Sequence, residues 1–458
     1  MNILYLHTHD SGRLLSPYGY PVSTPNLEQL ADDSAVFRNC FCVSPTCSPS
    51  RAAMLSGTYS HQCGMLGLAQ RGFSMDYRQH LVRYLSENGY HTVLCGIQHE
   101  FGWYLDPAEG AKAIGYDEEL TLHADQYRQE DLIDWDRKNA DRVTEWLDAY
   151  DGSKPFFLSY GMYATHRRFP DKIDPRIRED RIRPPAPIPD SPETRKDFAG
   201  YLTSAMSADQ CVGVVLQRLK EKNLYDDTVI LFTTDHGIAD PFCKCTLFDS
   251  GIGVALMLRV PGKPANGQMV EGLVSHLDVY PTLCDAVGIP KPQWLEGVSM
   301  APMLDNPAET IRKEIFAEVN FHTSYEPIRC IRTDRYKYIR HFDDSYLGIN
   351  QSNIDDSLTK DYFIERELAQ QNKDREALYD LAYDPGEKRN LAKSSDYQAI
   401  RIELAEKLTE QMHRTNDPVL EGEIPIRPEW KVNKKECIHA SSKVADDYIS
   451  LGIQRERR

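Results

Sequence analysis

A cysteine between two prolines heads a run of small residues in Ser44-Pro45-Thr46-Cys47-Ser48-Pro49-Ser50-Arg51, which continues as Ala52-Ala53-Met54-Leu55-Ser56-Gly57. The prolines predict a turn and the following run a helix. Cys47 then meets unpaired backbone N–H groups and the positive end of the helix dipole, which suits a nucleophilic thiol and an anionic substrate. Other polar groups follow apolar runs: His9-Asp10, His99 and Asp235-His236, with His166 and Lys244 a little further along. Taken singly, each has a plainer use. A His after a strand is most often a hydrogen-bonded structural residue, Asp-His-Gly can be a turn, and a lone Cys is commonly buried and inert. Together they supply what phosphoryl or sulfuryl transfer needs. Carboxylates hold a divalent cation against the transferred group, and cationic side chains stabilise charge on it and on the departing oxygen.

Positioning these groups requires strands that end at one edge. Residues 3–6, 91–95, 155–160 and 228–233 read as buried strands, each followed by one of the polar segments. Between them the sequence predicts helices over residues 25–31, from Cys47 onward, around 81–85 and over 131–147. A long helix carries Val212, Val215, Leu216 and Leu219 at i, i+3, i+4, i+7 spacing. Alternating strands and helices imply a mainly parallel sheet covered on both faces, with ligand sites at the strand C-termini. After about residue 306 the pattern becomes antiparallel hairpins over 314–317, 328–331 and 336–339. A final helix carries the Ile400, Leu404, Leu408 and Met412 stripe. Two units are expected, a catalytic domain over 1–305 and a smaller C-terminal subdomain over 306–458.

Composition narrows the function further. A net charge of −16 over 458 residues repels polyanions, which argues against nucleic acid and against extended binding to a sulfated polymer. No apolar run approaches the about 18 residues of a membrane span. Residues 1–6 lack a signal peptide's basic and apolar regions, and the eleven cysteines have no disulfide-scaffold spacing. The expected setting is therefore cytoplasmic, without a membrane partner. The C-x-C pairs Cys40/Cys42 and Cys243/Cys245 read as strand alternation rather than zinc ligands.

The string Cys47-Ser48-Pro49-Ser50-Arg51 resembles the signature of the type I sulfatases, in which the cysteine is oxidised to formylglycine. The resemblance extends over nearly the whole chain and is strongest to the heparan N-sulfatase group. Thr24-Pro25-Asn26-Leu27, Ser60-His61-Gln62-Cys63-Gly64-Met65, Ala164-Thr165-His166-Arg167, Phe232-Thr233-Thr234-Asp235-His236-Gly237 and residues 378–387 also carry it. It implies an alkaline-phosphatase-like α/β/α sandwich with a smaller C-terminal antiparallel sheet. It further implies a divalent metal bound by Asp10, Asp235, His236 and the modified Cys47, with His9 as a further candidate ligand. Arg51 would hold the formylglycine, His99 would handle the proton of its hydrate, and His166 and Lys244 would meet the sulfate and leaving group. Arg167, His322 and Arg329 are expected to bind substrate. The implied partners are a small sulfated carbohydrate and a formylglycine-generating or anaerobic sulfatase-maturing enzyme, and a homo-oligomer is compatible with the chain.

Three positions depart from the family pattern. His9 stands where the family has a second Asp; calcium remains the metal that the resemblance implies, and the imidazole opens manganese or zinc as alternatives. Ile97 replaces a lysine of the sulfate pocket. Ala164 replaces an Asp of the N-sulfatases, which leaves O-sulfate and N-sulfate open. A phosphodiesterase or phosphonate monoester hydrolase on the same fold is the alternative, and a silent binding protein the second.

Overall fold

The structure is a computed structural model describing residues 1–102 and 107–449. Its centre is the strand Asn2–Thr8, buried along its whole length. Alternation sends Ile3 and Tyr5 into one apolar layer and Leu4 and Leu6 into the other, so the strand is apolar on both faces. It pairs in parallel with Phe156–Gly161 on one side and Thr228–Thr234 on the other, and His91–Gly96 runs parallel to Phe156–Gly161. Glu118–Glu119 closes that edge of an eight-stranded sheet. Toward the other edge lie Leu256–Arg259, antiparallel to its neighbours, then Ala35–Phe37 and Gln268–Val270. A three-stranded sheet of Val274–Ser275, Cys40–Phe41 and Gly253–Val254 lies beside it.

One face of the large sheet is covered by helices Leu132–Ala149 and Pro192–Glu221, through Val143, Leu147, Val212, Val215 and Leu219. The other face packs on Cys47–Ser56, Leu81–Glu87 and Val279–Val287. The strands Glu314–Phe321, Tyr325–Thr333, Tyr336–His341 and Glu376–Asp380 form a four-stranded antiparallel sheet. Its Ile315, Ala317, Val319, Ile328 and Cys330 join that same apolar layer. Its opposite side, with Phe316, Ile331 and Tyr338, is covered by Leu404, Leu408 and Met412 of helix Gln398–Arg414. The segment beyond residue 416, unreadable in the sequence, returns to the catalytic side, where Trp430 stacks on Phe73 with ring centroids 4.2 Å apart.

Cys40 lies on a strand as expected, but Cys42 falls just past its end and Cys243 and Cys245 are not on strands. Cys243 and Cys245 form a turn, with Cys245 at φ +65°, because the Lys244 N–H donates to Ile238 O and the Cys245 N–H to Pro45 O. All eleven cysteines are buried and free.

Candidate active site

Four parallel strands end at one edge, and the residues just beyond them meet there. The register pairs His7 with Gly161 and Thr8 with Thr234, so residues 9–10 emerge beside 162–165 and 235–236. Gly161 is required at this crossing. A Cβ there would fall 1.9 Å from Ile97 O and 2.4 Å from the His7 ring. Asp10 and His99 turn the chain into the site with left-handed φ values of +46° and +59°, a conformation that costs a non-glycine residue energy and often marks a functional position.

Cys47 is the first residue of the Cys47–Ser56 helix, every residue of which is buried. Pro49 is tolerated because first-turn residues have no intrahelical N–H bond to lose. Both serines of the motif fasten this helix: Ser50 Oγ donates to Asp235 O at 2.6 Å, and Ser48 Oγ accepts from Ala69 N–H at 3.0 Å. Arg51 reaches under the sheet edge, where it donates to His7 Nδ1 (2.6 Å), Thr8 O (2.9 Å) and Asp235 Oδ2 (3.1 Å). A His7 that accepts at Nδ1 carries its proton on Nε2, which faces Ser159 Oγ.

One ligand atom from each of His9, Asp10, Cys47 and Asp235 lies within 4.8 Å of all the others. The Asp10 N–H donates to Asp235 Oδ1 at 2.9 Å, and His9 Nδ1 lies 3.1 Å from Asp235 Oδ2. His236 donates from Nδ1 to Gly237 O, which turns Nε2 toward Cys47 Sγ (3.4 Å) and Asp10 Oδ1 (3.3 Å). His9 Nε2 and Asp10 Oδ1 are both buried without a hydrogen bond, the state of donor atoms that a cation would satisfy. Charge agrees. Asp10, Asp235 and Asp355 outnumber Arg51 and Lys244 by one in this cluster, so it carries an uncompensated negative charge that attracts a cation. Cys47 Sγ stands where an oxygen of a formylglycine side chain would project.

Burial pushes the Cys47 thiol far up, with Lys244 opposing and Asp10 and Asp235 adding to it. The expectation of a thiol activated by the helix N-terminus is therefore corrected: desolvation and the neighbouring carboxylates outweigh the dipole. For Lys244, burial acts downward, but Asp10 at 3.3 Å and Asp355 at 2.9 Å hold it charged. His99 packs edge-on to His9, ring centroids 4.6 Å apart, and burial lowers its pKa with help from His9 and His166. His166 is the half-buried member of this histidine group.

Two arginines expected on substrate are engaged elsewhere. Arg167 is clamped by Asp197 (2.7 and 2.8 Å), Asp240 (2.6 Å) and Ala239 O (2.9 Å), and it fastens two loops together. Arg329 is fully buried. Its guanidinium donates to Asp417 (2.5 and 2.8 Å), Asn320 Oδ1 (2.7 Å), Val319 O (2.8 Å) and Ile328 O (2.9 Å). Both charges need partners once desolvated, and the chain supplies them from distant segments. Arg51 likewise spends its donors on Asp235, Thr8 and His7, with buried Nε remaining. His322 does face the cluster: it is buried, its Nδ1 lacks a hydrogen bond, and Lys244 and Asp355 perturb it.

Sequence reasoning missed His7, Asp136 and Asp355. Asp136 accepts from the Tyr163 and Ala164 N–H groups at 2.7 and 2.8 Å, which fixes the loop bearing His166. It sits on the buried face of helix Leu132–Ala149, where an Asp breaks the apolar stripe, and that break was the available signal.

Residues 2–289 match the sulfatase family, and residues 235–362 match the family described as N-sulphoglucosamine sulphohydrolase, C-terminal. The N-sulphoglucosamine sulphohydrolase of Homo sapiens is 28% identical over 468 residues, covering 91% of each chain. A solved protein described in complex with its substrate D-glucosamine-2-N,6-O-disulfate superposes with a TM-score of 0.67 at 20% identity, over 91% of this chain and 98% of that one. The phosphonate monoester hydrolase of Silicibacter pomeroyi gives 0.71 at 19% identity, over 92% and 96%. At those identities the two structures speak for the fold alone.

Proposed function

The chain belongs to the sulfatase family, and from that premise we propose that it hydrolyses a sulfate ester or sulfamate on a small sugar or a glycosaminoglycan chain end. The observation that carries this reading is the convergence of His9, Asp10, Cys47 and Asp235 within 4.8 Å at the strand C-termini. The names of the relatives, among them an N-sulphoglucosamine sulphohydrolase, support a sulfated glucosamine as substrate.

Formylglycine made from Cys47 supplies, as its hydrate, a hydroxyl nucleophile toward sulfur and a route for releasing sulfate that a thiol lacks. The raised thiol supports that assignment, since an unmodified neutral Cys47 is a weak nucleophile. Cys47 is 2% exposed within a wholly buried helix, which favours a maturing enzyme that acts before this segment packs. A divalent ion held by His9, Asp10, Asp235 and the modified Cys47, with His236 alongside, would supply positive charge to the sulfate oxygens. Imidazole at position 9 favours manganese or zinc over calcium, which prefers an all-oxygen shell. In this reading His99 would handle the proton of the hydrate, and Lys244 with the half-buried His166 would meet the sulfate and the leaving group.

Sulfate release from glucosamine N-, 3-O- and 6-O-sulfates, on protein whose Cys47 state is known by intact mass, tests the reading. Turnover of phenylphosphonate monoesters with inert sulfates would replace it by the phosphonate hydrolase alternative. Elemental analysis of protein purified without chelator should return about one manganese or zinc per chain, lost in Asp235→Ala. His9→Asp should move that content toward calcium, and equal calcium content before and after the exchange would refute the role of His9.

A further inference from the structure

Lys244 lies between two carboxylates that differ in access. Asp10 is sealed from solvent, whereas the Asp355 side chain keeps 19% of its exposure at 2.9 Å from Lys244 Nζ. His322 and His166 lie near enough to act on its charge. The segment carrying it is tightly held. Lys360 Nζ donates to Ile354 O (2.8 Å), Asp356 Oδ1 (2.7 Å) and Ile438 O (2.8 Å). Thr359 Oγ1 donates at 2.6 Å to Asp197, the carboxylate that clamps Arg167. Ser357 Oγ caps the short helix Leu358–Ile364 that follows.

A fixed carboxylate at the open side of a sulfate-binding cation cannot serve sulfate oxygens, because like charges repel. Its accessible edge must face the rest of the substrate. We propose that Asp355 is a specificity-determining residue that accepts a hydrogen bond from a hydroxyl or ammonium group beside the sulfated position of the sugar. The inference rests on the sulfatase reading above. Burial alone would favour the protonated acid, but Lys244 at 2.9 Å keeps Asp355 ionised, so it accepts and does not donate. A charge-assisted bond of this kind is roughly twice as strong as a neutral one. Preference would therefore run toward sugars that carry a free donor near the sulfate.

The test compares wild type with Asp355→Asn on the glucosamine N-, 3-O- and 6-O-sulfates and on 4-methylumbelliferyl sulfate, which has no such donor. Both substrates lose whatever Asp355 contributes through Lys244, so the reading is the difference between them: kcat/KM for the best sugar should fall about tenfold further than for the aryl sulfate, with the excess in KM. Equal losses on both substrates would reduce Asp355 to a support for Lys244, and an unchanged sugar KM would also overturn the inference. Calorimetric binding of the same sugars to the Cys47→Ala protein, with and without Asp355→Asn, separates the two readings. Tenfold weaker binding in the double variant, combined with no cleavage of any of these sugars by the protein with Cys47 intact and modified, would refute the sulfatase reading and keep Asp355 as a sugar ligand. Neither binding nor cleavage by the parent proteins would overturn both.

Discussion

Cys47 is the atom-level centre of the reading, and its surroundings separate structure from chemistry. The turn and helix are held by Ser48, Ser50 and Arg51, none of which needs the Cys47 side chain. Cys47→Ala should therefore fold normally and lose at least about 10³-fold in turnover, as nucleophile removal does elsewhere. Cys47→Ser should also be impaired, because a serine sulfate ester has no aldehyde to return to, and the sulfated protein should accumulate by mass spectrometry. Normal turnover without that adduct would refute the role of the modified residue. Arg329 behaves differently, since its donors are committed to Asp417, Asn320 and two carbonyls. Arg329→Ala strands the buried carboxylate of Asp417, while Glu318 keeps His61, and should cost on the order of 3–5 kcal/mol of stability. Its effect on sugar and aryl sulfates should be the same, and a selective loss on sugars would return Arg329 to the pocket.

At the scale of elements, the join between the catalytic side and the C-terminal sheet is a charge network. His61, in the short helix Ser60–Cys63, meets Glu318 of strand Glu314–Phe321 at 2.9 Å, and Arg329 links Glu318 to Asp417. Burial pushes Glu318 up, but His61 and Arg329 prevail and hold it down to about 2, below its ordinary 4.5. This stabilisation is present above pH 4.5 and lost as pH falls toward 2. For His61, burial acts downward and Glu318 prevails, which raises it above 6.5. That part is present below pH 6.5 and lost as pH rises through the raised value. Melting temperatures of wild type and Glu318→Gln should thus differ most between pH 4.5 and 6.5, converge as pH falls toward 2, and draw closer without meeting as pH rises through the raised His61 value, because Arg329 stays paired with Glu318. A difference that stays constant from acid to alkaline pH would count against the network.

Over the whole molecule, a net charge of −16 surrounds a site whose own cations are matched by carboxylates. The compact positive pocket that the sequence leads one to expect from Arg51, His99, His166, Arg167 and Lys244 is thus corrected: each of its three full cations is paired with an Asp, so attraction for an anionic group would rest on a cation held at the His9, Asp10 and Asp235 cluster. Long sulfated chains are repelled by the rest of the surface. Salt should relieve this, as the screening length falls from about 30 Å at 0.01 M to about 8 Å at 0.15 M. The kcat/KM for a sulfated oligosaccharide should rise over that range while that for a monosaccharide changes less than about twofold. A fall with salt for the longer substrate would place a basic track on the protein.

The sequence by itself determined the parallel sheet, the strand ends that carry His9, Asp10, His99 and Asp235, and the Cys47 turn. These follow from local signals: apolar runs of strand length, proline positions and a contiguous motif. The tertiary structure alone decided which charges are free. Arg51, Arg167 and Arg329 look alike in the chain, yet Asp235, Asp197 with Asp240, and Asp417 take up their charge from 184, 30 with 73, and 88 residues away. Asp355, 111 residues from Lys244, was invisible for the same reason. An ion pair inside a protein is set by which segments the fold brings within about 4 Å, and no periodicity or spacing encodes that distance.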